Sequence, residues 1–430
     1  MNRTLAAELA ANVGSQVRLA GWLHRRRELK SVTFLILRDR SGLAQVVLAG
    51  AGDFPDFGEE TPIEVIGECV SNPQAPGGVE VHHPTVRALS EPAEAPPVEL
   101  FRPTIRASLP TILDHAPVTL RHPRLRAPFL IAAASVAGFR SALDGLGFTE
   151  VHSPKIVGSA TEGGAAVFTV DYFGRDAYLA QSPQFYKQTL VGVFERVYEV
   201  GPVFRAEPHN TARHLAEYVS LDAELGFIES YADVMSVLRE AIAGMTERVA
   251  RDAAGAVALI GTRLPLVPPE IPSIHFADAQ AMISAATGED LAGVCDLEPA
   301  HERWLGEWAE REHGAEFLFV TAYPMAKRPF YTHPDPARPE FSNSFDLLFR
   351  GLELVTGGQR LHRYSDYVAA LGRIGQVPES YESYLEAFRH GMPPHGGFAI
   401  GLERWVARLT GAKNIRETTL FPRDLHRLTP

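Results

Sequence analysis

The chain has 430 residues, 45% of them hydrophobic and 22% charged, with a net charge of −11. That length holds two or three domains with ample core, and the acidic balance excludes a nucleic-acid binder held by overall charge. No apolar run is long enough to span a bilayer, and the opening MNRTLAAELAANVGS has neither an unbroken apolar stretch nor a cleavage pattern. Cys69 and Cys295, without a CxxC pair, indicate neither a zinc site nor a disulfide framework, so a cytoplasmic protein is expected.

Residues 17–23, 32–38, 43–49, 62–70 and 78–88 read as β-strands, each bounded by Gly, Pro, Asp or Asn. Five short strands suit a small barrel, and the OB-fold is the commonest such barrel that binds single strands. Arg18, Arg25, Arg26, Arg27, Lys30, Arg38 and Arg40 face only Glu28 and Asp39 over residues 18–40. This is a local basic patch sufficient for backbone contacts, or a solvated basic loop. Phe34 and Gln45 fall on adjacent strands, where an aromatic ring can stack an unpaired base and an amide can read its edge. Core packing is the plainer use of a single Phe. Residues 89–103, LSEPAEAPPVELFRP, lack periodicity and read as a semi-rigid linker.

An Ala-rich amphipathic helix is expected over residues 127–146, ended by Gly145 and Gly147, and then a strand, GFTEVHSPKI, interrupted by Pro154. The Gly-bearing loop SATEGG contains Glu162, and QSPQFYKQ enters a helix at Pro183 with Gln184 and Lys187 on one face. VFRAEPHNTARHLAEYVSLDAELGF, residues 203–227, reads as an antiparallel hairpin. Arg205 and Glu207 share a face, Pro208, Asn210 and Thr211 break the chain, and Arg213 sits at the tip. His214, Ala216, Tyr218, Ser220, Asp222 and Glu224 then share a face of the returning strand. Residues 228–320 are mostly helical by periodicity and carry no usable motif. Asp346 and Glu353, on strands that can pair, are what a hard divalent ion takes, although spaced acids are common. GGFAIGLER, residues 396–404, is a small-residue strand leading into a helix with Arg404 in its first turn.

In this order, the Pro154 strand, the FRAE hairpin with its RHLAE, and the GLER corner resemble motifs 1, 2 and 3 of the class II aminoacyl-tRNA synthetases. The barrel resembles the anticodon-binding domain of the aspartyl, asparaginyl and lysyl kinds, with Phe34, Gln45 and Glu80 at the reader positions. With no large insertion between motifs 2 and 3, the resemblance is to the compact archaeal and eukaryotic aspartyl type and covers nearly the whole chain. It implies an α+β fold: an OB-fold barrel over residues 1–88, a linker or hinge over 89–120, and a catalytic domain over 121–430. That domain is expected to be an antiparallel sheet flanked by helices, dimerising with a second copy through motif 1.

The resemblance also implies ATP and Mg²⁺, aspartate and tRNA. Arg205 would bridge the amino-acid carboxylate and the α-phosphate, with Glu207 and Arg404 completing the catalytic group. Glu207, His214, Leu215, Gly401 and Arg404 would hold ATP, with Arg213 on the outer phosphates. Asp346 and Glu353 would carry the metal, and Glu353 would also face ATP. Glu162, Gln184, Lys187, Thr356 and Arg360 would surround aspartate, Lys187 and Arg360 as a positive pocket that neutral asparagine cannot compensate. His24 and Pro84 stand where strict enzymes of this type have Trp and Lys. That pairing implies relaxed charging of both tRNA-Asp and tRNA-Asn, with the latter product corrected by an amidotransferase.

Rival readings are a strict aspartyl enzyme, an asparaginyl enzyme, a tRNA-independent aspartate–ammonia ligase and a synthetase-like RNA-binding regulator. The barrel argues against the ligase, and the retained Arg205, Glu207, Glu353 and Arg404 argue against the regulator. No Walker A loop, dinucleotide glycine motif, HExxH or GxSxG is present.

Overall fold

The computed structural model describes residues 1–49, 57–158, 167–208 and 211–429. Glu162 with its loop, and Asn210, lie outside the described residues. Contacts divide the chain into two units, residues 1–123 and 124–430. Among the described residues no helix is long and apolar enough to cross a membrane.

The first unit holds a closed barrel of β1 (Gln16–Glu28), β2 (Val32–Arg38), β3 (Leu43–Ala49), β4 (Pro62–Ser71) and β5 (Val79–Ala88), in the order β1-β2-β3-β5-β4. Alternation decides what fills it. Leu35, Leu37, Ala44, Val46, Val79 and Val81 point into the core, so Phe34, Gln45 and Glu80, one residue out of step, lie on the outer face. β1 runs past the expected residue 23 because the β1–β2 register slips between Leu23 and Arg25, which makes His24 a bulge rather than a strand end. A second slip, between Ile66 and Glu68 of β4, sets Gly67 against His83 and Pro84.

The second unit is built on an eight-stranded sheet of order β12-β13-β14-β15-β16-β11-β10-β6. Its strands are β6 (Thr149–Glu150), β10 (Arg196–Phe204), β11 (Glu217–Gly226), β12 (Ser273–His275), β13 (Phe317–Thr321), β14 (Ser344–Phe349), β15 (Glu353–Gln359) and β16 (His395–Gly401). The six central strands pair antiparallel, whereas β6 and β12 join the two edges in parallel. A separate small sheet contains β7 (Ile156–Val157), β8 (Thr169–Asp171) and β9 (Asp176–Leu179). The helix expected from residue 127 begins at Pro123 and runs to Gly145. It packs with the helix Tyr231–Asp252 and the sheet into one apolar core through Ile131, Phe139, Leu238, Met245, Phe345 and Trp405.

Candidate active site

One face of the central sheet carries the candidate chemistry, and strand register places it. Asp346 on β14 lies opposite Thr356 on β15, Thr356 opposite Ala399 on β16, and Ala399 opposite Asp222 on β11. Residues directly opposite in paired strands share a face, so this row crosses four strands, roughly 15 Å, with small residues between two carboxylates. Ser220 pairs with Gly401 on one side of the row, and Glu224 with Gly397 on the other.

At the Ser220 end lies a cavity walled by the β10–β11 turn, β15 and the β16 corner. Arg205, Glu207, Arg213, His214, Leu215 and Tyr218 line it on one side, and Glu353, Thr356, Gly401, Glu403 and Arg404 on the other. β10 ends at Phe204 and β11 starts at Glu217, so Arg205, Glu207 and His214 sit in the turn rather than on the strands that alternation suggested. The turn is held from outside: Ala212 accepts from Ile415 N–H (2.9 Å), Thr211 from Arg416 (2.9 Å), and Ala216 N–H donates to Arg423 (2.8 Å). Arg205 stands 5.8 Å from the Tyr218 ring centre. Across the cavity Arg404 donates to the Glu353 carbonyl (3.0 Å) and lies 3.4 Å from its carboxylate.

Glu403 closes a gap in the ladder. β16 ends at Gly401, so the Val219 N–H of β11 has no strand partner there and donates to the Glu403 carboxylate instead (3.1 Å to each oxygen). Burial, with Glu217 adding, pushes that carboxyl up to about 7.

At the Asp222 end the environment is dry. Lys187, on the helix Gln184–Phe194, is 2% exposed and donates to Asp222 (3.0 Å) and the Phe398 carbonyl (3.1 Å), with Glu224 at 3.4 Å. Arg360 uses Nε on Glu224 (3.0 Å) and Nη2 on the Gly397 carbonyl (3.0 Å). Burial would raise Glu224, but Arg360 and Lys187 win and hold its carboxyl below the usual range. Gly397 makes this possible: a Cβ there would lie 2.1 Å from Glu224 Oε2. The positive pocket expected from Lys187 and Arg360 is therefore corrected to a balanced quartet, because buried cations are stable only when paired. Just ahead of Lys187 in the chain, both amide atoms of Gln181 and the Gln184 Nε2 are buried with no partner among the described residues. Unsatisfied buried amides are what a polar ligand completes.

Asp346 is held by Arg328 (2.9 Å). Burial raises its carboxyl to about 6, with the nearby Glu353 opposing Arg328. No motif signals Arg328 or Glu403 in these roles, and Tyr218, Asp222 and Glu224 read in the sequence only as a shared strand face.

On the barrel, Gln45 donates to Glu80 (2.8 Å), and His82 lies 2.7 Å from the same carboxylate. Phe34 is half-buried one diagonal away, with Ile36 rather than Phe34 opposite Gln45. His24 is buried, its Nδ1 3.2 Å from Arg38, which is itself clasped by Glu60. Burial and Arg38 push the imidazole down to about 4, so it is neutral.

A family described as class II tRNA synthetases (D, K and N) matches residues 108–425, and one described as OB-fold nucleic acid binding domain matches residues 17–89. The chain belongs to the class II tRNA synthetases. It is 48% identical over 429 residues to an aspartate–tRNA(Asp/Asn) ligase of Thermus thermophilus, covering 100% of both chains. A second aspartate–tRNA(Asp/Asn) ligase, from Deinococcus radiodurans, is 46% identical and covers 100% of this chain and 99% of its own. The crystal structure of asparaginyl-tRNA synthetase from Pyrococcus horikoshii with asparaginyl-adenylate superposes with a TM-score of 0.91 at 30% identity, covering 100% of both chains. The synthetase thus has an ATP-using catalytic unit and an OB-fold barrel on one chain.

Proposed function

We propose that this synthetase joins aspartate to tRNA through an aspartyl-adenylate and accepts both tRNA-Asp and tRNA-Asn. The α-carboxylate of aspartate attacks the α-phosphate of ATP and expels pyrophosphate. The terminal adenosine hydroxyl of tRNA then takes the aspartyl group and releases AMP. Little bond-making is asked of side chains, so alignment and charge stabilisation dominate.

The observation that carries this reading is the cross-strand row. It sets the cavity of Arg205 and Arg404 and the quartet of Lys187 and Arg360 side by side on one floor, with Thr356 and Ala399 in the row, which supports reading the first for the nucleotide and the second for the amino acid. In this reading Arg205 spans the reacting carboxylate and α-phosphate, and Tyr218 and Arg404 offer an aromatic and a guanidinium face to the base. Glu207, His214 and Arg213 hold the rest of ATP. Gln184, Lys187 and Arg360 receive aspartate, and Arg360 has Nη1 outside its bonds to Glu224 and Gly397. The side-chain carboxylate enters a quartet already neutral, so preference over asparagine comes from charge-assisted hydrogen bonds, not from an unpaired positive field.

Asp346 and Glu353 fit Mg²⁺. Asp346 is a buried carboxylate whose proton affinity is raised, and a cation would relieve it. Among the described residues no group of three or more His, Cys, Asp or Glu could hold a metal. That donor set suits an ion completed by water and phosphates rather than a closed protein cage. Bound there, Mg²⁺ would neutralise phosphate charge.

For tRNA, Phe34, Gln45 and Glu80 form the base-reading face. Both departures from the strict pattern sit at bulges: His24 turns inward to Arg38, and Pro84 offers no donor. Losing one discriminating contact, worth roughly 1–3 kcal/mol, is enough to accept a second anticodon. A cytoplasmic homodimer working with an amidotransferase completes the reading. Aminoacylation with aspartate on the two purified tRNAs tests it. Both should be charged; rejection of tRNA-Asn removes the relaxed choice, and activation of asparagine alone reverses the amino acid.

A further inference from the structure

Glu302 belongs to the helix Pro299–His313, in a region without a motif, yet it reaches the candidate metal site. It is a buried carboxylate, 8% exposed, and its Oε2 accepts the backbone N–H of Glu353 at 2.9 Å. The helix is locked against the β14–β15 turn at one spot. A Cβ on Gly306 would lie 2.5 Å from Gly351 Cα, and one on Gly351, where φ is +68°, would lie 2.9 Å from Arg303 Cα. The turn also carries a register slip between Leu347 and Leu348, just where Glu353 starts β15. Glu353 is therefore the first residue after an irregular turn, and a side chain from another element, not only the ladder, sets its backbone.

We propose that Glu302 is a positioning residue for Glu353: by holding its N–H, it aims the Glu353 carboxylate into the cavity that Arg404 also lines. Glu353 is the like charge that faces Glu302, and Arg213 and Arg404 act against it. The role needs an acceptor atom, not a charge, and glutamine supplies one. This inference rests on the metal reading of Asp346 and Glu353.

Manganese can replace magnesium and its binding can be followed by electron paramagnetic resonance in the presence of a non-hydrolysable ATP analogue, without turnover. Glu302→Ala should weaken Mn²⁺ about tenfold or more, the usual effect of losing a group that orients a metal ligand. It should raise the magnesium concentration needed for pyrophosphate exchange by a similar factor. Glu302→Gln should bind Mn²⁺ like the parent and also reports if the alanine variant folds poorly. Equal weakening in both variants would mean the charge matters and overturns the proposal, as would parental affinity in Glu302→Ala. Glu353→Ala is the control. If it too binds like the parent, the metal reading fails; if it alone loses Mn²⁺, only the role of Glu302 fails.

Discussion

Strand β11 serves two neighbouring regions with opposite electrostatic character. Around Tyr218 and Ser220 it faces a cavity where Arg205, Arg213 and Arg404 are half-buried or exposed. Two and four residues further along the same face, Asp222 and Glu224 are buried and neutralised by Lys187 and Arg360. The difference follows from solvent. Charges that water still reaches can be left for a polyanionic ligand, whereas charges taken out of water must bring their counter-ions with them. The first region is suited to stabilising charge that develops during reaction, the second to holding a shape that recognises one side chain.

The largest expected effect probes the dry region. Lys187→Met leaves Asp222 and Glu224 buried beside Arg360 alone and should cost about 3–5 kcal/mol of stability in urea unfolding. Adding Asp222→Asn should recover part of it. A single variant as stable as the parent would break the contrast. Next comes the wet region: Arg205→Ala should slow aspartate-dependent pyrophosphate exchange by at least about a hundredfold with little change in melting temperature. A large stability loss in that variant would mean that both regions are structural quartets.

The smallest effect sharpens the boundary between them, where Glu403 completes the β11 ladder. Its carboxyl sits at about 7 against an ordinary 4.5. Ionising it costs more in the folded chain than in the unfolded one. Stability is therefore lost as pH rises from about 4.5 to about 7, on the order of 3 kcal/mol, and stays lower above. Glu403→Gln keeps an acceptor for Val219 N–H, so it should melt with the parent at pH 5 and above it at pH 8. Parallel melting curves at both pH values would place Glu403 with the solvated charges.

The barrel shows how far alternation reads. Leu35, Leu37, Ala44 and Val46 go in and Phe34 and Gln45 go out, as period two requires, so the strands and the outward face were legible from residue order. The bulges at His24 and opposite Gly67 were not, since a slipped register is a property of two paired strands and not of either sequence. The same holds for Glu302, one acid on a helix like many others until Glu353 N–H is found against it.

What residue order alone determined is local: the five barrel strands, the break in the hairpin that follows Arg205, the glycine-bearing corner before Arg404, and the shared face of Tyr218, Ser220, Asp222 and Glu224. These depend on backbone periodicity and on Gly and Pro, which act over a few residues. Only tertiary structure decided the charge balance. Lys187 meets a carboxylate 35 residues away and a carbonyl 211 residues away. Whether a buried cation is a free positive pocket or half of an ion pair depends on which strands the sheet brings beside it, because in a dry interior the nearest opposite charge dominates its energy.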